Sequence, residues 1–260
     1  MNILLNILDE LIILFFVFSI LGWITEVTLK YIQFHRFINR GFLIGPYCPI
    51  YGAGVVTVTV IVGGLVGRHG TIFETFFAGM VICGALEYFT SWYMEKFFHA
   101  RWWDYSQKPM NLHGRIWMGN LILFGLASVI IVWWFDPAFF RVIEGIKSEY
   151  IKYMAVIIVI IVISDNVVSH FMMNIVKKEI DNRKGDSTEE ITKEIRVLLK
   201  DKQMLIRRIN DAYPNLQARP KRLKDEIKNI KKEYKKEIDE LKRIKAEYEK
   251  EIDELKKQFK

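Results

Sequence analysis

The sequence predicts an all-α fold, a polytopic bundle of about five transmembrane helices with a C-terminal cytoplasmic helical tail. Three observations predict it. The 260 residues are 51% hydrophobic and 14% aromatic, with a mean hydropathy of +0.13, yet 26% are charged. Charge is segregated: residues 1–176 hold 11 Lys+Arg against 11 Asp+Glu, whereas 177–260 hold 26 against 19 and so carry the whole net charge of +7. The tail also repeats itself at two heptads. The chain divides into a transmembrane domain, 1–176, and a cytoplasmic tail, 177–260. An ordinary globular enzyme is excluded. So is a disulfide scaffold, because Cys48 and Cys83 lie in apolar sequence and form no C-x-x-C pair.

A bilayer core of roughly 30 Å takes about 20 apolar residues in helix. Five segments approach that standard: about 11–29, 48–66, 72–94, 116–135 and 153–175. The second opens on GFLIGPYCPIYGAG, where Pro46, Pro49 and four glycines resist regular helix, so an extended or re-entrant stretch is expected there. The first ten residues carry Asp9 and Glu10 but no Lys or Arg, and no A-x-A site follows. The first span is therefore expected to be retained rather than cleaved as a signal.

Lys and Arg in the loops orient the bundle. Lys30, Arg36, Arg40, Lys96, Arg101, Lys108 and Arg115 fall on one side, against Arg68, Arg141 and Lys147 on the other. The tail joins the seven. This predicts plasma-membrane insertion with the N-terminus outside and the tail in the cytoplasm.

In the tail, Ser187-Thr-Glu-Glu190 reads as a capping box that opens a helix. Its apolar positions are Ile191, Ile195, Leu198, Leu205 and Ile209, and Tyr213-Pro214 ends it. From about Pro220 a second helix runs on, in which KKEYKKEIDELKRI (231–244) recurs as KAEYEKEIDELKKQ (245–258), identical at ten of fourteen positions. Ile227, Tyr234, Leu241, Tyr248 and Leu255 form one seam. The other alternates Lys224, Lys231, Ile238, Lys245, Ile252 and Phe259, which weakens it. A dimerising or partner-binding coiled coil, a hairpin folded on the 188–212 helix and a solvated charged helix all remain open. Lysines interleaved with glutamates, without a binding motif, argue against nucleic acid. Lys177, Lys178, Arg183 and Lys184 suit anionic lipid headgroups instead.

Ionisable residues inside a membrane are functional by default. Gly22, Glu26 and Lys30 form a polar edge on the first span, and Glu87, Ser91 and Glu95 one on the third. On the fifth, Asp165 sits near mid-span beside a stripe of Asn166, His170 and Asn174 that should face other helices, as interhelical glue or as a pathway. Lys30 and Glu74 lie at the interfaces. An aromatic belt accounts for Trp92, Trp102, Trp103 and Trp117. It does not account for Asn39-Arg40 before a Gly/Pro loop, nor for Asp104-Tyr105-Ser106 followed by Asn111 and His113-Gly114-Arg115. Arginine suits phosphate or carboxylate, and Asp104 and His113 could serve as its partners or as an acid/base pair. The structural alternative has Arg40 and Arg115 pairing with Asp104 and Glu26 to lock loops to helix ends. The substrate-binding set is thus Glu26, Asn39, Arg40, Tyr47, Tyr51, Glu87, Asp104, Tyr105, Asn111, His113 and Arg115.

No P-loop, no H-E-x-x-H or tight metal spacing among His35, His69, His99, His113 and His170, and no G-x-S-x-G elbow occurs. No catalytic residue, metal or cofactor is expected. Gly63-Gly64-Leu-Val-Gly67 reads as small-residue packing.

ILGWITEV (20–27), NRGFLIGPYCPIYGAG (39–54), LEYFTSWYMEKFF (86–98) and RWWDYSQKPMNLHGRI (101–116) resemble the putative ABC-transporter type IV family of multi-pass bacterial membrane proteins. The resemblance covers about residues 10–135, with N-R-G-F-x-x-G-P-x-x-P-I-Y-G and W-W-D-Y-S its specific patterns. It implies a multi-span inner-membrane protein whose motif loops matter. Three functions stand open. One is a permease component served by a separate ATPase and, with so few spans, a homodimer. Another is a membrane-embedded enzyme or binder for a phosphorylated lipid. The third is a scaffold that recruits a partner through its tail.

Overall fold

The computed structural model describes residues 2–63, 71–182, 187–201, 212 and 216–258. Gly64, Gly67, Arg68, His69, Arg183, Lys184, Leu205, Ile209 and Tyr213-Pro214 lie outside the described residues, as do positions 65 and 66 of the second expected span.

Among the described residues, four helical segments are long and apolar enough to cross a membrane: Leu4–Phe34, Ile72–Phe98, Met118–Glu144 and Ser148–Asp181. The first lies in α1 (Asn2–Phe34), which overruns its expected bounds because neither glycine nor proline interrupts residues 2–21. It ends where His35 turns left-handed at φ 51°. The second expected segment is shorter in the structure. α2 (Pro49–Ile61) has 13 residues, roughly 20 Å of helix. Pro49 is tolerated because the first helical N–H has no partner to lose. Pro46 and the glycines hold residues 35–48 out of regular helix.

α3 (Ile72–Phe98) opens on a complete capping box between Thr71 and Glu74 and closes at His99, φ 54°. α4 (Met118–Ile130), a π turn (Ile131–Phe135) and α5 (Asp136–Glu144) form one continuous rod, and α6 (Ser148–Asp181) follows. α1 packs on α2 and α6, and α3 on α4. Two glycines allow the closest approaches. A Cβ on Gly52 would run into the Phe15 carbonyl and Ser19 hydroxyl of α1, and one on Gly79 into Ser128 of α4.

At one end of the bundle the chain makes two short antiparallel pairs. β1 (Ala100–Arg101) pairs with β4 (Gln217–Ala218), and β2 (Asn111–Leu112) with β3 (Ile116–Trp117). The tail thereby docks onto the second motif loop. α7 (Thr188–Asp201) is capped by the Ser187 hydroxyl, which accepts from the Glu190 amide at 3.1 Å. Its Ile191 and Ile195 are buried with Met173, Val176 and Ile180 of α6. α6 can host them because 34 residues, about 51 Å, outlast the hydrocarbon core. Trp102 and Trp103 are not belt residues. Trp102 is buried against Phe42, and the Trp103 indole donates to the Arg115 carbonyl at 2.9 Å. α8 (Lys221–Gln258) is exposed throughout 225–246, so the hairpin on the 188–212 helix is not formed there.

Candidate functional site

The first motif loop is held at depth by α6. The Asp165 carboxylate accepts from the amides of Ile44 and Gly45 and from the Tyr47 hydroxyl, each at 2.8 Å, and from Ser169 at 3.0 Å. Irregular backbone in a membrane needs such cover. Leu43, Tyr47 and Cys48 are buried, and the Cys48 amide donates to the Ser19 carbonyl of α1 at 2.8 Å. Asn39 accepts from the Trp23 indole at 2.7 Å and donates to the Ile44 carbonyl at 3.2 Å. Asp165, Asn39 and Tyr47 therefore shape the loop.

Beside this loop lies Glu26 on α1. It takes Arg40 Nε at 3.3 Å on one oxygen and the Tyr51 hydroxyl at 2.7 Å on the other. Arg40 also donates to the Ala212 carbonyl of the tail. Gly22, one turn before Glu26, makes room for the Tyr51 ring. Across from it, Glu87 of α3 is buried. Its Oε1 accepts from the Tyr105 hydroxyl at 3.3 Å and from Asn120 of α4 at 3.0 Å. Among the described residues its Oε2 has no hydrogen-bond partner. Burial, and next the charge of Glu87, push the Tyr105 phenol up, which keeps it a donor.

Nearer the bundle end, two arginines meet two carboxylates. Glu95 Oε2 accepts Arg101 Nε at 2.9 Å and Arg115 Nη2 at 3.0 Å, and Arg115 also donates to Ser91 at 3.2 Å. Asp104 takes Arg101 at 3.3 Å, the Ser106 hydroxyl at 2.5 Å and amide at 3.1 Å, and Gln217 of the tail at 3.2 Å. Burial alone would raise Asp104. The Ser106 donors, Arg101 and Gln217 outweigh it and hold the carboxyl below the ordinary aspartate range. Arg219 of the tail joins the group through Gln217, to whose side-chain oxygen its guanidinium donates at 2.8 Å. Its amide donates to the His99 carbonyl at 2.7 Å.

Some of the expected pairings are replaced. Arg40 takes Glu26, a pair within the structural alternative, whereas Arg115 takes Glu95 instead of Asp104 or Glu26. Glu87 uses a phenol and an amide and no arginine among the described residues. Asp104 and His113 find separate partners, since His113 Nδ1 shares a 2.9 Å hydrogen bond with the Tyr88 hydroxyl. Asn111 bridges its own turn, donating to the Ser106 and Lys108 carbonyls and accepting from the Gly114 amide. On α6, Asn166 and Asn174 are exposed. The inward edge is Asp165, Ser169 and His170, the last 3.3 Å from the Tyr93 hydroxyl. The i, i+4, i+8 spacing located a stripe, but the partners of Asp165 turn the helix by a residue.

Sequence reading missed Asn120, Arg101, Gln217 and Arg219. Asn120 stood unmarked in an apolar span. It was findable, since an amide three residues inside a membrane helix is itself a polar cost. Nothing in the order of residues pairs 217–219 with 99–104.

The family model for the putative ABC-transporter type IV family matches residues 13–170, well over half of the chain, and the chain belongs to that family. No curated protein and no solved structure matches.

Proposed function

We propose that this member of the putative ABC-transporter type IV family is a permease component that receives a polar molecule at the cytoplasmic end of its bundle, at the cluster headed by Glu87. One observation carries the reading. A carboxylate buried among helices has donors on one oxygen and none among the described residues on the other. Such a group suits a cation or hydrogen-bond donor from a bound molecule. Tyr105 connects it to the second motif loop, which would sense occupancy. The family's name points the same way.

In this reading the chain crosses the membrane five times. α2 completes the second crossing together with the buried loop before it. The N-terminus lies outside and the tail in the cytoplasm of a bacterial cell, which the seven-to-three excess of loop Lys and Arg supports. With no P-loop in the sequence, energy would come from a separate ATPase subunit. Two copies would supply a pathway that so few helices cannot enclose.

The test is mass spectrometry of small molecules retained by the purified protein. The wild type should carry a polar compound that the Glu87→Gln variant loses by about tenfold or more, the ~1.4 kcal/mol of one lost polar contact, with thermal stability kept. Identical retention by both would contradict the reading. Arg101 and Arg115 side by side on Glu95, with Arg219 bonded to the Gln217 that reaches Asp104, favour a second reading, a binder of a phosphorylated lipid. It predicts an anionic lipid lost from Arg219→Gln and kept by Glu87→Gln.

A further inference from the structure

The long tail helix leaves its apolar face uncovered. Ile227, Ile230, Tyr234, Ile238, Leu241 and Ile244 are all between 43% and 65% exposed, on a helix of about 57 Å. Six large apolar side chains at intervals of three and four residues make a seam, and a seam of this regularity needs an occupant. The charges beside it say which.

With Ile227, Tyr234, Leu241, Tyr248 and Leu255 at heptad position d, position e reads Lys228, Lys235, Lys242, Glu249 and Lys256. Position g reads Ile230, Glu237, Ile244, Glu251 and Gln258. In a parallel, in-register pair of identical helices each g residue meets the e residue five places on in the other copy. Glu237 then meets Lys242, and Glu251 meets Lys256, twice each by symmetry. In an antiparallel pair e faces e and g faces g, so the four lysines at e lie mostly against one another and neither Glu237 nor Glu251 meets a lysine at e. The parallel, in-register orientation is therefore the one that pairs these charges.

The root of the helix agrees. Two residues separate β4 from α8, and β4 is fixed by its pairing with β1, by the Gln217–Asp104 bond and by the Arg219 amide on His99. Two copies inserted alike in one membrane present these roots at one level, which sets both helices parallel and in register. Lys231 and Lys245 at position a oppose their own copies, so the attraction is modest. Tethering both helices to one membrane raises their effective concentration and compensates for it.

We infer that the face of α8 formed by Ile227, Tyr234 and Leu241 is occupied by the same face of a second copy of this chain, parallel and in register. The inference is independent of the transport reading, because a scaffold or a lipid binder could dimerise through the same face.

The experiment uses the full-length protein in its native membrane, with single cysteines in a background lacking Cys48 and Cys83. Under mild oxidation Ile227→Cys and Leu241→Cys should each give about tenfold more disulfide-linked dimer than Lys236→Cys on the outer face. Adding Glu237→Lys and Glu251→Lys should cut that yield several-fold, and adding Lys242→Glu and Lys256→Glu as well should restore it. Equal cross-linking at Lys236→Cys would overturn the inference. So would Leu241→Cys cross-linking without Ile227→Cys, the antiparallel outcome, or a yield indifferent to the charge reversals.

Discussion

Glu95 holds two guanidiniums with a single oxygen, Arg101 and Arg115 lying 2.9 and 3.0 Å from Oε2. All three side chains are nearly nine-tenths buried, so removing the carboxylate strands two positive charges. Glu95→Ala should cost about 3–5 kcal/mol and lower the melting temperature in detergent sharply. Arg40 and Glu26 are less buried, and the same logic makes them exchangeable. Arg40→Glu combined with Glu26→Arg should regain much of the stability that either change loses. Asp104 adds a pH dependence. Its folded-state pKa is held below the ordinary value near 3.8, so its contribution is complete above that value and is lost as pH falls through the depressed one. The gap in melting temperature between wild type and Asp104→Asn should therefore be constant from neutral pH down to the ordinary aspartate value and close below it. A gap that closes already between pH 7 and 5 would show that another group is titrating. The residue types of this cluster were legible in the sequence, where arginines and carboxylates stood out among apolar neighbours. Their pairings were not, because Glu95 takes Arg115 and shares Arg101 with Asp104, choices that the order of residues leaves open.

At the scale of elements, the first motif loop depends on Asp165. Asp165→Ala leaves the Ile44 and Gly45 amides without their acceptor, at about 1–3 kcal/mol for each buried donor. Cys48, 5% exposed at the end of that loop, should then react with a maleimide many times faster than in the wild type. Unchanged Cys48 protection would mean that the α1 contact alone holds the loop. The α1–α2 crossing offers a second check. Gly52→Val should destabilise by about 1–3 kcal/mol through overpacking against Phe15 and Ser19, whereas Gly63→Val, with open space around its Cα, should be nearly neutral. Hydropathy marked the long helices, and the Thr71 capping box starts α3 where the apolar run begins. The short α2 was foreshadowed by Pro46, Pro49 and their glycines. What composition could not reveal was the carboxylate on a distant helix that satisfies the loop's amides.

At the scale of the whole molecule, both motif loops and the root of the tail meet at one end of the bundle, joined by Arg40 to Ala212, Asp104 to Gln217 and β1 to β4. The two-part charge distribution was plain in the sequence, but nothing local signalled that residues 217–219 fold back onto 99–104. The proposed site, its access from the cytoplasm and the parallel tail all require that this end face inward. Ser106, exposed in the second motif loop, reports on it directly. In a background lacking Cys48 and Cys83, a membrane-impermeant thiol reagent should fail to label Ser106→Cys in intact cells and should label it fully in inverted vesicles. Labelling of Ser106→Cys from outside intact cells would reverse the orientation and contradict a cytoplasmic site.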